Sequence, residues 1–75
     1  MYKETLGAKL KEARIQAGYT QEQVEIITKI SRAAISHYET GKREPAIETL
    51  SKLADFYEVS MDWLVGTKGR NKKND

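Results

Sequence analysis

At 3.6 residues per turn, Arg32, Ala33, Ser36, His37 and Thr40 share one helical face. That face is polar, small and slightly basic, with no large aliphatic side chain. It offers donors, acceptors and one cation, which is the chemistry of binding a polar or anionic surface. Catalysis has little to work with, because His37 is the single imidazole and there is no Cys. Triads and thiolate or His-based metal sites cannot be built from that inventory, so no catalytic residue, metal or cofactor is expected.

Charge points the same way. The chain has 75 residues, 13 Lys plus Arg against 11 Asp plus Glu, and a formal net charge of +2. Its distribution is less even than the total. Between residues 29 and 43 lie Lys29, Arg32, Lys42 and Arg43 against the single acid Glu39, whereas residues 44–67 carry Glu44, Glu48, Asp55, Glu58 and Asp62 against Lys52. A polyanion would be drawn to the middle of the chain and repelled by its later part. No run of apolar residues is long enough for a signal peptide or a membrane span, so a soluble, cytoplasmic protein is expected.

The elements that must position these residues are all helical. Leu6, Leu10, Ala13 and Ala17 form one face of a first helix over about 4–17, stopped by Gly18. Thr20 with Gln23 three residues on is a capping box, so a second helix starts at Gln21 with Val24 and Ile27 or Thr28 inward. Ser31 offers the next N-cap, for a helix from Arg32 to Thr40 that ends at Gly41 and turns Ala34, Ile35 and Tyr38 inward. A fourth, about 46–57, places Ile47, Leu50, Leu53, Ala54 and Tyr57 at core spacing. Ser60 caps a short fifth through Trp63 and Leu64, ended by Gly66. No segment alternates at period two. The fold class is therefore all-α, a compact bundle of about five short helices filling one domain, 1–66, with 67–75 as a basic and disordered tail.

Two short helices joined by about three residues, the second with a flat polar face, make a helix-turn-helix candidate. The strings Gly18-Tyr19-Thr20-Gln21-Glu22-Gln23-Val24, Ile30-Ser31-Arg32, Ile35-Ser36-His37-Tyr38-Glu39 and Gly41-Lys42-Arg43-Glu44-Pro45 stand in that order. Together with Glu48-Thr49-Leu50, Lys52-Leu53-Ala54 and Val59-Ser60-Met61-Asp62-Trp63-Leu64, this pattern resembles the helix-turn-helix family of phage repressors, Cro proteins and xenobiotic-response-element regulators. The match covers about residues 5–66.

The resemblance implies a lambda-repressor-like domain that binds double-stranded operator DNA as a homodimer and regulates transcription, most often as a repressor. It assigns the outward face of the third helix to the major groove, making Arg32, Ala33, Ser36 and His37 the base-reading candidates. Gln21, Thr40, Lys42 and Arg43 become the phosphate contacts. Arg14 and Glu39 match positions that pair with each other, a structural ion pair. Of the two helices after residue 44, an exposed edge of Phe56 or Trp63 is a candidate contact between copies, the alternative being that these aromatics fill the core. A second reading keeps the fold but makes the acidic 44–67 surface a protein-binding face, as in an antitoxin or an antirepressor partner.

Three positions depart from the family pattern. Residue 25 is usually small and residue 29 usually Gly, and here they are Glu25 and Lys29. Lying four apart with Glu first, they could pair along a second helix lengthened by a turn, or Glu25 could wedge the second helix away from the third. Ala46 stands where a capping Ser or Thr is expected before the fourth helix.

Overall fold

A computed structural model describes residues 2–66, which form five α-helices and, among those residues, no strand. Helix α1 spans Tyr2–Ala17, α2 Gln21–Thr28, α3 Arg32–Glu39, α4 Ile47–Tyr57 and α5 Met61–Val65. The tail expected at 67–75 lies outside the described residues.

Leu6, Leu10 and Ala13 of α1 are almost fully buried against Val24, Ile35, Leu53 and Leu64 in a single core. Ala17 is exposed rather than inward. Helix α1 outruns the core by its last turn, and it is Tyr19, after the turn, that folds back onto Phe56 with ring centroids 4.7 Å apart. Gly18, with φ 89°, ends α1 in a left-handed turn. There the amides of Gly18 and Tyr19 both bond back to the Arg14 carbonyl.

The capping box of α2 is complete: Thr20 Oγ1 accepts from the Gln23 amide at 3.1 Å, and Gln23 Oε1 accepts from the Thr20 amide at 2.8 Å. Of the two inward alternatives at its far end, Thr28 is buried and Ile27 is exposed. A threonine is tolerated there because its hydroxyl is satisfied, donating to the Val24 carbonyl at 2.7 Å and accepting from the Ile30 amide at 3.2 Å. Helix α2 is not lengthened. It stops at Thr28 because Lys29 adopts φ 67°, the left-handed conformation that normally falls to Gly.

Ser31 caps α3 by accepting from the Ala34 amide. At the other end Thr40 is the cap, Gly41 has φ 80°, and the Gly41 and Lys42 amides bond to the Tyr38 and His37 carbonyls. This is a Schellman ending, and it closes the helix one residue before Thr40. Gly7 lets α1 run close beneath: a Cβ built there would meet the Tyr38 carbonyl oxygen at 2.5 Å and that of Glu39 at 2.7 Å.

Helix α4 starts one residue late, at Ile47, with Ala46 as an N-cap whose side chain makes no cap bond. Leu50, Leu53, Ala54 and Tyr57 are buried, but Ile47 is 66% exposed. The first turn of α4 projects past the core edge, which the buried Pro45 fills instead. Trp63 and Leu64 of α5 close the core. Lys9 pins α5 from across the molecule, its Nζ donating to the Trp63 carbonyl at 2.9 Å and lying 5.3 Å from the indole centroid.

Candidate nucleic-acid interface

The α2–α3 corner is built by local rules. Two N-capped helices are joined by Lys29, Ile30 and Ser31, and the burial of Val24, Thr28, Ile35 and Tyr38 turns their remaining faces outward together. Between them runs an open groove lined by Gln21, Glu25, Arg32, Ala33, Ser36 and His37. Arg32, Ala33 and His37 are exposed and Ser36 half-exposed, so four residues of the outward α3 face meet on one surface. Arg32 also borders a neighbouring depression with Arg14, Thr20, Gln21 and Glu22.

Thr40, Lys42 and Arg43 lie outside this groove, beyond the C-terminal end of α3, and all three are exposed. Thr40 Oγ1 donates to the Ser36 carbonyl at 2.9 Å, which leaves its oxygen free to accept. The Arg43 guanidinium stands 6.0 Å from the Tyr38 ring centroid, an aromatic support that orients a cation outward.

Behind the groove sits a charge network. Arg14 Nε donates to Glu39 Oε2 at 2.8 Å and Nη2 to Oε1 at 3.1 Å, a two-pronged pair whose side chains are 11% and 3% exposed. Its third donor, Nη1, reaches the Tyr19 carbonyl at 2.9 Å. Hydrogen bonding to Glu39 holds Arg14 charged, above its ordinary range, against the smaller opposing effect of burial. Gln21 joins in, its Nε2 donating to Glu39 Oε1 at 3.0 Å. One carboxylate thus ties α1, α2 and α3 together.

That link through Gln21 is absent from the sequence pattern, since it depends on how α2 is set against α3. Glu25 does not make the helical pair that its spacing to Lys29 allows. It is half-buried at the groove wall, and among the described residues it has no cation within salt-bridge reach, Lys29 included. Trp63 is buried, only 8% exposed, so it offers little edge to a second copy; Phe56 is partly buried beneath Tyr19. Among the described residues no helix is long and apolar enough to cross a membrane.

The comparisons agree with this geometry. A family profile described as helix-turn-helix matches residues 10–64. The chain is 44% identical over 71 residues to the HTH-type transcriptional regulator ImmR of Bacillus subtilis (strain 168), covering 95% of this chain and 56% of ImmR. It is 39% identical over 57 residues to the HTH-type transcriptional activator BcrR of Enterococcus faecalis, covering 76% of this chain and 28% of BcrR. The chain therefore spans about half of ImmR and less of BcrR. Among solved structures, the DNA-binding domain of BldD from S. venezulae superposes with a TM-score of 0.77 at 35% identity, over 85% of this chain and 96% of that one. These relatives are named as transcriptional regulators or DNA-binding domains. A five-helix fold, its capped α2–α3 corner and a profile match over most of its length place the chain in the XRE-type helix-turn-helix family.

Proposed function

We propose that the chain is the DNA-binding part of a transcriptional regulator, laying α3 in the major groove of a specific duplex and repressing by occupying that site. The observation that carries this reading is the outward α3 face. Arg32, Ala33, Ser36 and His37 line one open groove with no aliphatic obstruction, and among the described residues nothing claims the Arg32 guanidinium. Arg32 is free to donate two hydrogen bonds to guanine O6 and N7, and Ala33 is small enough to meet a thymine methyl. Ser36 and His37 supply shorter polar contacts.

Phosphates flank this reading face. At the start of α2 the capping box satisfies the Thr20 and Gln23 amides, so the remaining first-turn donors of Gln21 and Glu22 suit an anion, assisted by the helix dipole. The second hydrogen on Gln21 Nε2 adds to them. Thr40, Lys42 and Arg43 form the opposite clamp, fixing register without reading sequence.

Footprinting of the purified protein on genomic fragments identifies the site, and a salt titration on it tests the mechanism. Affinity falls with a log–log slope of about −0.9 for each phosphate contact. Arg32→Ala relaxes sequence preference, whereas Arg43→Ala weakens all duplexes alike. Unaltered binding by both variants rejects the assignment of faces. Transcription in vitro from a template carrying the footprinted site should fall as protein is added; a rise would mean that this chain acts as its relative BcrR is named, an activator.

A further inference from the structure

Glu25 stands on the wall of the reading groove, and its chemistry is unlike that of its neighbours. The other polar residues there, Gln21, Arg32, Ser36 and His37, can all donate, while an ionised carboxylate only accepts. It is half-buried, Lys29 four residues on leaves the helix in a left-handed conformation and forms no ion pair with it, and among the described residues no other cation compensates it. A partly desolvated, unpaired carboxylate costs stability. On a face that meets DNA it is also repelled by phosphate and by the acceptor atoms of guanine and thymine. The major groove displays donors only on the exocyclic amines of cytosine and adenine, and cytosine N4 is the usual partner of a carboxylate.

On the DNA-reading face proposed above, we infer that Glu25 is a specificity-determining residue, its carboxylate accepting from the amino group of a cytosine close to the guanine that Arg32 takes. A donor fork and an acceptor lining one groove match the major-groove edge of G·C sequence, where guanine presents two acceptors and cytosine a donor. The same carboxylate weakens docking wherever that amine is missing, so it discriminates by repulsion as well as by attraction.

The test is selection from a random duplex library by the wild-type protein and by the Glu25→Gln and Arg32→Ala variants, after their melts confirm folding. Glu25→Gln keeps the shape but both donates and accepts, so one cytosine position in the selected sequence relaxes by roughly tenfold. That position lies beside the one relaxed by Arg32→Ala, and binding to unselected duplex tightens. As a second measurement with the protein unchanged, the selected cytosine is replaced by 2-pyrimidinone, which lacks the amine. Wild type then loses affinity and Glu25→Gln loses much less. Identical selected sequences from wild type and Glu25→Gln, or equal losses on the pyrimidinone duplex, overturn the role of Glu25 and leave the groove-reading assignment standing. If the wild-type protein enriches no sequence, the DNA-reading assignment itself fails and takes this one with it.

Discussion

The Glu39 carboxylate is the group on which the α2–α3 corner leans, because Arg14 from α1 and Gln21 from α2 both bond to it while it is only 3% exposed. Removing one partner of such a pair leaves a buried charge uncompensated, so Arg14→Ala should cost about 3 kcal/mol, against about 0 to 1 for an exposed pair. Urea unfolding measures this, and a loss below about 1 kcal/mol would show that the pair is effectively solvated. Replacing both partners, Arg14→Met with Glu39→Met, should cost clearly less than Arg14→Ala alone, since no charge is then stranded. Beside the pair, Tyr57 holds its proton well above the ordinary tyrosine range, first because it is buried and then because Glu39 is near, with Arg14 opposing. Its raised value means that the unfolded chain ionises first. The stability it contributes is therefore complete below pH about 10 and is lost as pH climbs beyond it. Tyr57→Phe should flatten that alkaline fall, and parallel melts on either side of pH about 10 would show whether it does. At this scale helical period alone puts Arg32, Ala33, Ser36 and His37 on one face, but contacts between helices are legible only where resemblance supplies a pairing. Arg14 and Glu39 are 25 residues apart, and nothing in their spacing says that they meet. The Gln21–Glu39 bond is hidden in the same way, because a side chain's partner is decided by the neighbouring helix and not by its own.

The helix boundaries, by contrast, were legible in local residues. Thr20 with Gln23, Ser31 and Ser60 each cap a helix start, and Gly18, Gly41 and Gly66 each end one with positive φ. What stayed hidden are the endings made by the wrong residue. Lys29 and Glu58 hold φ of 67° and 60°, which costs an L-residue roughly 1 kcal/mol or more in αL. Lys29→Gly should therefore stabilise by about 0.5 kcal/mol after glycine's greater freedom in the unfolded chain is subtracted. Ala46→Ser should add about 1 kcal/mol by supplying the cap that α4 lacks. Both gains are readable as shifts in the denaturation midpoint, and a loss at either site would contradict the geometry of that helix end. Gly7 runs the other way. Helix propensity alone favours Gly7→Ala by about 1 kcal/mol, but the new methyl would sit 2.5 Å from a backbone oxygen that no rotamer change can move. Overpacking should win, with a net loss of about 1 to 3 kcal/mol, and a stabilised Gly7→Ala would show that α1 and α3 have room to part. No periodicity could reveal that need, since a mid-helix glycine looks merely unfavourable until the second helix is in place. Ala17 and Ile47 fail for a related reason: a stripe of apolar residues continues in sequence after the core has ended in space.

Seen whole, the molecule is small relative to the target proposed for it, and its dimensions bear on how two copies would cooperate. Its Cα trace spans 29 × 24 × 20 Å, whereas paired half-sites on one face of DNA lie about 34 Å apart. Centre to centre, two copies so placed are farther apart than the longest Cα span of either, so that only side chains can bridge them. A stable association would need on the order of 1,000 Å² or more of buried surface, and a bridge of side chains alone does not provide it. Among the described residues the exposed large hydrophobic side chains are Ile15, Ile26, Ile27 and Ile47, divided among three helices and without an aromatic anchor of the kind that dominates tight interfaces. This chain alone should therefore sediment as a monomer at micromolar concentration. On a duplex with two footprinted half-sites one turn apart, it should fill them nearly independently, with a second-site enhancement of less than about tenfold, or 1.4 kcal/mol. A gel-shift titration reads this directly: singly bound duplex should be a prominent species at intermediate protein. All-or-none filling, or a dimer in free solution, would mean that the copies meet through a surface these dimensions do not bring together on adjacent half-sites.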